Sequence, residues 1–312
     1  MIAVLLATYN GEKYLEAQLN SLINQTYHDF QIYISDDCST DGTVNIISKY
    51  EDIYPGKIIN IKNGIHFGNA KDNFLFLVES VQADIYFFCD QDDVWNVDKI
   101  EKTLKVYNHI EDKSLPILIH SDLAVVNEKL EIINESFFNF MGLKKNITDY
   151  KSLLVQNYVT GCTMMVNKAL VDFYMQKKNL INKSNILMHD YFFALIASIF
   201  GNLYFCDQSL MLYRQHQSNS VGAKNVKSVE YAFNKIKEIS KNKNIVRKTQ
   251  FQIHEIFEMV KDMDSLPGEI KELLYEYSIL YKKNKLWRMM FIVKNGLLKK
   301  GLKRKVYQMI AI

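Results

Sequence analysis

The first 110 residues alternate between short apolar segments and amphipathic segments, and this alternation constrains the fold more than any other feature. The apolar segments have the length and composition of strands, whereas the segments between them repeat apolar residues at helical spacing. Strands are predicted at residues 2–7, 30–35, 58–61 and 85–89, and helices at residues 12–24, 43–50, 70–81 and 97–110. Repeated strand–helix units favour a parallel sheet with helices on both faces, so the predicted class is α/β.

Beyond Pro116 the alternation becomes less regular. Further strands are predicted at residues 117–122, 160–166, 203–206 and 210–214, and an apolar helix at residues 190–200. From about Ser228 the apolar residues Val229, Phe233 and Ile236 recur at helical spacing, as do others further along the chain. We therefore expect two parts, a mixed α/β domain at residues 1–222 and a helical C-terminal region at residues 223–312.

Aspartates follow two of the predicted strands at the point where each strand ends. Asp90-Gln91-Asp92-Asp93 follows the strand at residues 85–89, and Asp36-Asp37 follows the strand at residues 30–35. The carboxyl ends of parallel strands meet at one edge of a sheet, where open α/β folds bind their ligands. Carboxylates two residues apart can share one divalent cation and set it against a nucleotide diphosphate, which indicates group-transfer chemistry. The alternative is that these aspartates only form solvated turns and cap the following helices.

Length and composition are those of a globular chain without disordered tracts. The 312 residues are 48% hydrophobic and 23% charged with only three prolines, so the chain can bury a full core. The four cysteines are widely separated and form no C-x-x-C pair, so we expect reduced thiols in the cytoplasm. The N-terminal residues lack the basic segment and cleavage site of a signal peptide, and we expect them to form a strand.

Five short segments together resemble the family-2 glycosyltransferases with the GT-A fold. They are Ala7-Thr8-Tyr9-Asn10-Gly11, the loop at residues 36–43, Asp90-Gln91-Asp92-Asp93-Val94-Trp95, His189-Asp190 and Tyr213-Arg214-Gln215-His216. Within that family the acidic motif, His120-Ser121-Asp122-Leu123 and the Arg-Gln-His ending are similar to bacterial rhamnosyltransferases of surface-polysaccharide assembly. The resemblance covers residues 1–222. It implies a Rossmann-like, mixed and mostly parallel sheet and an inverting, metal-dependent glycosyltransferase.

The resemblance implies a nucleotide site built from both acidic loops. Thr8 and Tyr9 would frame the nucleobase, and Asp37 would accept a hydrogen bond from the pyrimidine N–H. Lys71, at the start of a predicted helix, would face the phosphates or the base, and Asp90 would orient the ribose or the metal. Simpler alternatives are ordinary packing for Tyr9, an Asx-turn for Asp37 and solvent exposure for Lys71.

The resemblance also implies the metal site and the catalytic base. Asp92 corresponds to the direct ligand of Mg²⁺ or Mn²⁺, and His216 to a residue that reaches the metal or the diphosphate. Asp190 corresponds to the base that takes the proton of the acceptor hydroxyl in an inverting displacement. Outside the family context, Asp190 would be a helix N-cap and His216 an ordinary surface or core histidine.

The remaining candidates concern the two sugars. Asp93 is expected to contact the sugar or to cap the following helix, and Asp122 is expected to line the donor-sugar pocket. Gly161 and Cys162 are expected on the acceptor side. Arg214 is expected to pair with phosphate in the bidentate manner of a guanidinium.

Residues 277–312 are strongly basic. They contain ten Lys or Arg and no Asp or Glu, and since the net charge is +3 the preceding residues carry −7. Leu286, Met290, Val293 and Leu297 recur there at helical spacing. A basic amphipathic helix of this kind lies in the interface of an anionic membrane, so we expect a peripheral protein on the inner face of the cell membrane. The alternatives are a helix packed on the catalytic domain and a contact between copies in a homo-oligomer.

Other classes of function fit the sequence less well. A non-catalytic nucleotide-sugar binding module could lose Asp92 or Asp190, whereas this chain retains both. A nucleotidyltransferase would show a Gly- and Lys/Arg-rich phosphate loop after the first strand, and a dinucleotide-dependent oxidoreductase would show G-x-G-x-x-G. No nucleic-acid binding module accompanies the basic tail, so no nucleic acid is expected as a partner. We expect transfer of L-rhamnose from dTDP-rhamnose to a lipid-linked surface glycan, with a UDP-hexose donor as the alternative.

Overall fold

A mixed β-sheet forms the centre of the computed structural model, which describes residues 1–62, 64–216 and 239–312, without the side chains of residues 239–243 and 303. The described strands are β1 (Ile2–Thr8), β2 (Gln31–Asp36), β3 (Ile58–Asn60), β4 (Ile85–Asp90), β5 (Val94–Trp95), β6 (Ile117–Val126), β7 (Ile132–Asn134), β8 (Met164–Asn167) and β9 (Asn202–Arg214). Their order in the sheet is β3-β2-β1-β4-β8-β6-β9-β5, with β7 paired to β6. Strands β1 to β4 are parallel, which confirms the alternation predicted for this part of the chain.

Helices cover both faces of this sheet. The described helices are α1 (Leu15–Ile23), α2 (Thr43–Ile53), α3 (Ala70–Ser80), α4 (Lys99–Asn108), α5 (Phe137–Phe140), α6 (Tyr150–Val155), α7 (Lys168–Lys177), α8 (His189–Phe200), α9 (Ile239–Val260), α10 (Gly268–Ser278), α11 (Lys285–Lys294) and α12 (Leu302–Ala311). The apolar face predicted for α1 is confirmed, because Leu15, Leu19 and Leu22 are fully buried. All seven residues of β1 are buried as well, as expected for a strand covered on both faces.

Two sequence segments differ from the predicted structure. The two strands predicted at residues 203–206 and 210–214 form one strand, β9. They looked separate in the sequence because the polar residues Asp207 and Gln208 interrupt the apolar run, at the point where the pairing with β6 shifts register. The predicted strand at residues 160–166 begins instead as the 3-10 turn Gly161–Thr163, and β8 follows it. Strand β8 runs antiparallel to both β4 and β6, so the sheet changes direction at this strand.

The C-terminal helices share a hydrophobic core with the sheet. Buried residues of α9, α10 and α11, such as Ile256, Leu274 and Ile292, belong to the same cluster as Phe193 of α8 and Leu5 of β1. The predicted boundary near Gly222 and the residues Val229, Phe233 and Ile236 lie outside the described residues, so the division into two parts stays a prediction. In the parts of the chain that the structure describes, no helix has the length and apolar character needed to cross a bilayer.

Candidate active site

A cavity of about 1200 Å³ opens where β1 and β4 end. Most of the residues predicted from the sequence line it, namely Thr8, Tyr9, Asp37, Asp90, Asp92, Gly161, Asp190 and His216. The structure therefore brings both acidic loops, the start of α8 and the end of β9 to one place. The predicted residues Lys71, Asp93, Asp122 and Arg214 do not line this cavity, and each has partners elsewhere.

Gln91 joins the two loops that hold the donor side of the cavity. Its side chain accepts a hydrogen bond from the backbone N–H of Tyr9 and donates one to the carbonyl of Tyr9, each at 2.8 Å. A Cβ at Gly11 would lie 2.3 Å from Oε1 of Gln91, so only glycine leaves room for this pair of bonds. The sequence analysis gave Gln91 no role, although the residue sits inside the acidic motif.

The nucleobase end of the cavity is formed by Tyr9, Asp37 and His66. The rings of Tyr9 and His66 lie 5.9 Å apart, and the Tyr9 side chain is about half exposed, which leaves an aromatic surface facing the cavity. The Asp37 carboxylate accepts bonds from the backbone N–H groups of Phe67 and Gly68, so it also fixes the loop that carries His66. Base recognition by Tyr9 and Asp37 stays a prediction that this arrangement allows.

Asp92 and His216 are brought together by strand pairing. Strand β5 pairs with β9 directly after the acidic motif, and Arg214 then donates from Nε to the Asp92 carbonyl at 2.7 Å. Nη1 of Arg214 donates to the carbonyl of Glu128, and Cζ of Arg214 lies 4.6 Å from the centre of the Tyr14 ring. Arg214 thus braces the metal-side loop through backbone carbonyls, which is not the bidentate phosphate contact predicted for it.

The pair Asp92 and His216 suits a divalent cation. Nε2 of His216 lies 2.8 Å from Oδ2 of Asp92. Ligands on adjacent corners of an octahedron with bonds of about 2.1 Å are about 3.0 Å apart, so these two atoms can bind the same ion. Diphosphate oxygens of a donor would complete a set of hard ligands that favours Mg²⁺ or Mn²⁺.

One part of the cavity wall, which we call the floor, contains the carboxylates of Asp90, Asp92 and Asp190 and concentrates negative charge. Burial raises the pKa of Asp90, and repulsion from Asp92 and Asp190 raises it further. Mutual repulsion of this kind is relieved by a cation, which would lower the pKa of Asp90 and keep its carboxylate ionised. The electrostatics therefore agree with the ligand geometry.

A second cluster of ligand-type atoms lies behind this floor. Carboxylate oxygens of Asp90 and Asp93 and the sulfur of Cys162 lie within 4.8 Å of one another. Burial raises the pKa of Asp93 well above its ordinary value, and it raises the pKa of the Cys162 thiol, which is therefore protonated at neutral pH. A thiol is a poor ligand for a hard cation, which favours Asp92 and His216 as the site. Asp93 instead accepts the backbone N–H of Arg214 at 3.1 Å.

Lys99 places a cation beneath the same floor. Its side chain is buried, donates to the Cys162 carbonyl at 2.5 Å and lies 3.6 Å from the ring centre of Trp95. Burial lowers its pKa to about 8, against the attraction of the Asp93 and Asp90 carboxylates. Lys99 therefore holds the turn that contains Gly161 and Cys162.

Asp190 lies at the start of α8 but does not cap it. The N-cap residue is Met188, and the Asp190 carboxylate accepts bonds from the Gly161 N–H at 3.1 Å and from Nδ2 of Asn157 at 3.2 Å. Burial raises the pKa of Asp190 to about 6, although these two bonds favour its charged form. A Cβ at Gly161 would lie 2.8 Å from the His189 ring, so glycine is required for this close approach. Asp190 is thus a buried carboxylate held in place on the cavity wall, and its role as the base stays a prediction.

Two predicted residues support loops at some distance from the cavity. Asp122 is buried, and its carboxylate accepts bonds from the hydroxyl of Ser136 and the backbone N–H of Phe138, so it organises the start of α5. Lys71 donates from Nζ to the Lys183 carbonyl at 2.9 Å and pairs with Asp72 at 3.2 Å. Neither side chain lines the cavity, and the roles expected for Asp122 at the sugar and for Lys71 at the donor stay predictions.

One wall of the cavity consists of residues to which the sequence gave no role. Lys299, Arg304 and Tyr307, from the C-terminal residues, line it together with Asn157 and Tyr158. The only sequence signal was the basic run at residues 277–312, which does not distinguish cavity-facing cations from solvent-facing ones.

A mixed sheet with carboxylates from two strand ends and a buried carboxylate from a helix start around one cavity is the arrangement of a GT-A glycosyltransferase. The chain belongs to glycosyl transferase family 2, whose family model matches residues 3–173. This membership confirms the resemblance found in the sequence, and the protein is a glycosyltransferase.

Individual relatives agree with this assignment. The chain is 35% identical to the dTDP-rhamnosyl transferase RfbG of Shigella flexneri over 234 residues, which cover 70% of this chain and 74% of RfbG. The crystal structure of TarS residues 1–349 from Staphylococcus aureus covers 98% of this chain and is itself covered to 77%, with a TM-score of 0.56 and 17% identity. The mannosyltransferase PcManGT of Pyrobaculum calidifontis, solved with GDP-Man and Mn²⁺, covers 94% of this chain and is covered to 73%, with a TM-score of 0.53 and 14% identity. The two structures share the fold.

Proposed function

We propose that the protein is an inverting, metal-dependent rhamnosyltransferase that moves L-rhamnose from dTDP-rhamnose to a lipid-linked surface glycan. The observation that carries the reaction type is that Asp92 and Asp190, from separate parts of the chain, line one cavity. The similarity to RfbG over more than two thirds of both chains supports the sugar and the nucleotide. The cofactor proposed is Mg²⁺ or Mn²⁺.

The proposed reaction is a single displacement at the anomeric carbon. The acceptor hydroxyl attacks that carbon from the face opposite the nucleotide, Asp190 takes the hydroxyl proton, and the bond to dTDP breaks with its electron pair on the phosphate oxygen. Gly161 and Asn157 hold the Asp190 carboxylate towards the acceptor during this transfer. A cation at Asp92 and His216, when bound, would neutralise charge on the departing diphosphate.

A donor comparison tests the proposed sugar and nucleotide. We expect dTDP-rhamnose with Mg²⁺ or Mn²⁺ to be hydrolysed or transferred at least about tenfold faster than UDP-glucose, UDP-GlcNAc or GDP-mannose, because one lost recognition contact costs about 1.4 kcal/mol or more. Release of each nucleoside diphosphate measures the rate. A preference for a UDP-hexose would overturn the rhamnose assignment while leaving the family unchanged, and no turnover with any donor would favour a binding module.

We further propose that the C-terminal helices attach the protein to an anionic membrane. The helices concerned are α11 and α12, and both carry exposed apolar residues at helical spacing. The most exposed are Leu286 of α11, at 69%, and Leu302 of α12, at 79%. Exposed lysines such as Lys285, Lys294 and Lys305 accompany them. Apolar side chains that enter the acyl boundary together with cations that meet anionic headgroups would provide peripheral binding.

Point variants test this attachment, because deleting residues 277–312 would remove buried core residues such as Phe291 and Ile292 and unfold the chain. The triple variant Leu302→Ser/Val306→Ser/Ile310→Ser is expected to lower co-sedimentation with anionic vesicles about tenfold or more, since three exposed apolar side chains are lost. The matched control is Ile132→Ser/Ile133→Ser on β7, where two apolar residues are equally exposed. Unchanged sedimentation of the triple variant, or a change in oligomeric state in its place, would contradict membrane binding.

A further inference from the structure

The cavity is larger than a donor site needs. Its volume of about 1200 Å³ exceeds the range of roughly 300–1,000 Å³ that is usual for one small ligand. The groups assigned to the donor occupy the part lined by β1, β4 and the end of β9. The lining also includes Asn157, which bonds to Asp190, its chain neighbour Tyr158, and the C-terminal residues Lys299, Arg304 and Tyr307. We call the part lined by these C-terminal residues the far end.

The two ends of this cavity differ in charge. The donor end carries the carboxylates of Asp37, Asp90 and Asp92, whereas the far end carries the cations of Lys299 and Arg304. A metal ion can neutralise the donor end, but the far end lies outside that arrangement. A ligand that reaches the far end therefore gains if it is anionic.

Arg304 is positioned by one bond to a neutral group. Its Nη2 donates to the carbonyl of Met141 at 2.7 Å, and within the described chain its guanidinium forms no ion pair with a carboxylate. A guanidinium has five N–H donors, so this anchoring bond leaves capacity to bind an anion. The bond fixes the guanidinium on the cavity wall.

Tyr158 provides an independent sign of a ligand at the same place. The residue is only 3% exposed and lines the cavity, and its hydroxyl has no hydrogen-bond partner among the described residues. Buried hydroxyls normally have a partner. Tyr158 and Arg304 line the same cavity, and the charge of Arg304 lowers the pKa of the Tyr158 hydroxyl against the larger effect of burial.

We propose that Arg304, Lys299 and the Tyr158 hydroxyl form a phosphate-binding subsite for the acceptor. Its ligand is the phosphate or diphosphate that joins a glycan to its lipid. The inference rests on the proposed function, because it places the linking phosphate of a lipid-linked acceptor beyond the catalytic base. It also gives the C-terminal helix α12 a part in substrate binding, since Arg304 belongs to α12.

Binding of geranyl diphosphate to the full chain tests the subsite directly. The protein is first saturated with dTDP and Mg²⁺ so that the donor site is filled, and geranyl diphosphate, geraniol and inorganic pyrophosphate are then titrated by calorimetry. We expect geranyl diphosphate to bind at least tenfold more tightly than either geraniol or pyrophosphate. Pyrophosphate binding as tightly as geranyl diphosphate would overturn the lipid as the source of the phosphate.

Variants assign the binding to these residues. Arg304→Gln is expected to weaken binding of geranyl diphosphate at least tenfold, Tyr158→Phe several-fold, and Arg304→Lys less than Arg304→Gln, with melting temperatures reporting on folding. Lys300→Gln is the control, because Lys300 is exposed and does not line the cavity. Equal affinity of the wild type and Arg304→Gln would overturn the subsite. The donor comparison decides the proposed function separately, since it needs no acceptor phosphate.

Discussion

The variant Asp92→Asn is expected to lower kcat by about 10²–10³-fold, a loss typical of removing one electrostatic group that stabilises a departing oxyanion. The substitution removes a charged ligand 2.8 Å from Nε2 of His216 while preserving the shape of the side chain. The cation would then bind more weakly, and the negative charge of the diphosphate would be repelled by the carboxylates of Asp90 and Asp190. The rate is measured as release of dTDP from dTDP-rhamnose, and a chelator is expected to abolish activity of the wild type.

The metal dependence of Asp92→Asn separates ligation from a structural effect. A lost ligand raises the Mn²⁺ concentration needed for half-maximal rate, so excess Mn²⁺ recovers part of the activity. A structural defect would leave that concentration unchanged and lower the melting temperature. Asp52→Asn is the matched control, because Asp52 is exposed on α2. Full activity in chelator, or an Asp92→Asn enzyme that matches the control, would contradict the proposed metal site.

The parallel half of the sheet and the acidic edge could be predicted from the sequence because both depend on local patterns. A fully buried strand such as β1 is a continuous apolar run, and the aspartates of the two acidic loops directly follow their strands. Of these aspartates, Asp37, Asp90 and Asp92 line the cavity, whereas Asp36 and Asp93 do not. The resemblance to the family added His216 and Asp190, which no local pattern connects to the acidic loops.

The roles of several charged residues could not be predicted, because their partners are backbone groups distant in sequence. Arg214 donates to the carbonyls of Asp92 and Glu128, and Lys71 donates to the carbonyl of Lys183. A sequence motif shows that a charge is present but gives no indication of which carbonyl lies near it. The role of Lys99 could not be predicted for the same reason, because its buried ammonium donates to the distant carbonyl of Cys162.

The basic C-terminal segment packs on the catalytic domain and also keeps exposed apolar residues, so its attachment to a membrane stays a prediction. Leu297, Phe291 and Ile312 are buried in the shared core, as the packed-helix alternative expected, whereas Leu286 and Leu302 remain exposed as a membrane-binding helix requires. Helical periodicity identifies an apolar face but does not distinguish a face that packs from one that stays exposed. Only the tertiary structure shows that Arg304 faces the cavity.

The variant Asp190→Asn is expected to lower kcat by about 10³-fold, within the range that general base catalysis contributes. Asparagine is nearly the same size and its amide oxygen can still accept the Gly161 N–H, so a residue that only held this turn would tolerate the change. It cannot take the proton of the acceptor hydroxyl. The measurement is kcat for transfer, with Asp172→Asn on α7, which does not line the cavity, as the control. Transfer by Asp190→Asn at the rate of the control would reject Asp190 as the base.

The dependence of the wild-type rate on pH gives a second test of the same base. Burial raises the pKa of Asp190 to about 6, and only the ionised form accepts a proton, so kcat should fall below pH 6 and level off above it. Nδ2 of Asn157 donates to this carboxylate and favours its charged form, so Asn157→Ala should raise the pKa and move the midpoint to higher pH. Asp190→Asn should lack this midpoint. A wild-type rate that does not change between pH 5 and 8 would mean that proton transfer to Asp190 does not limit turnover, because a base with this pKa changes its charge within that interval.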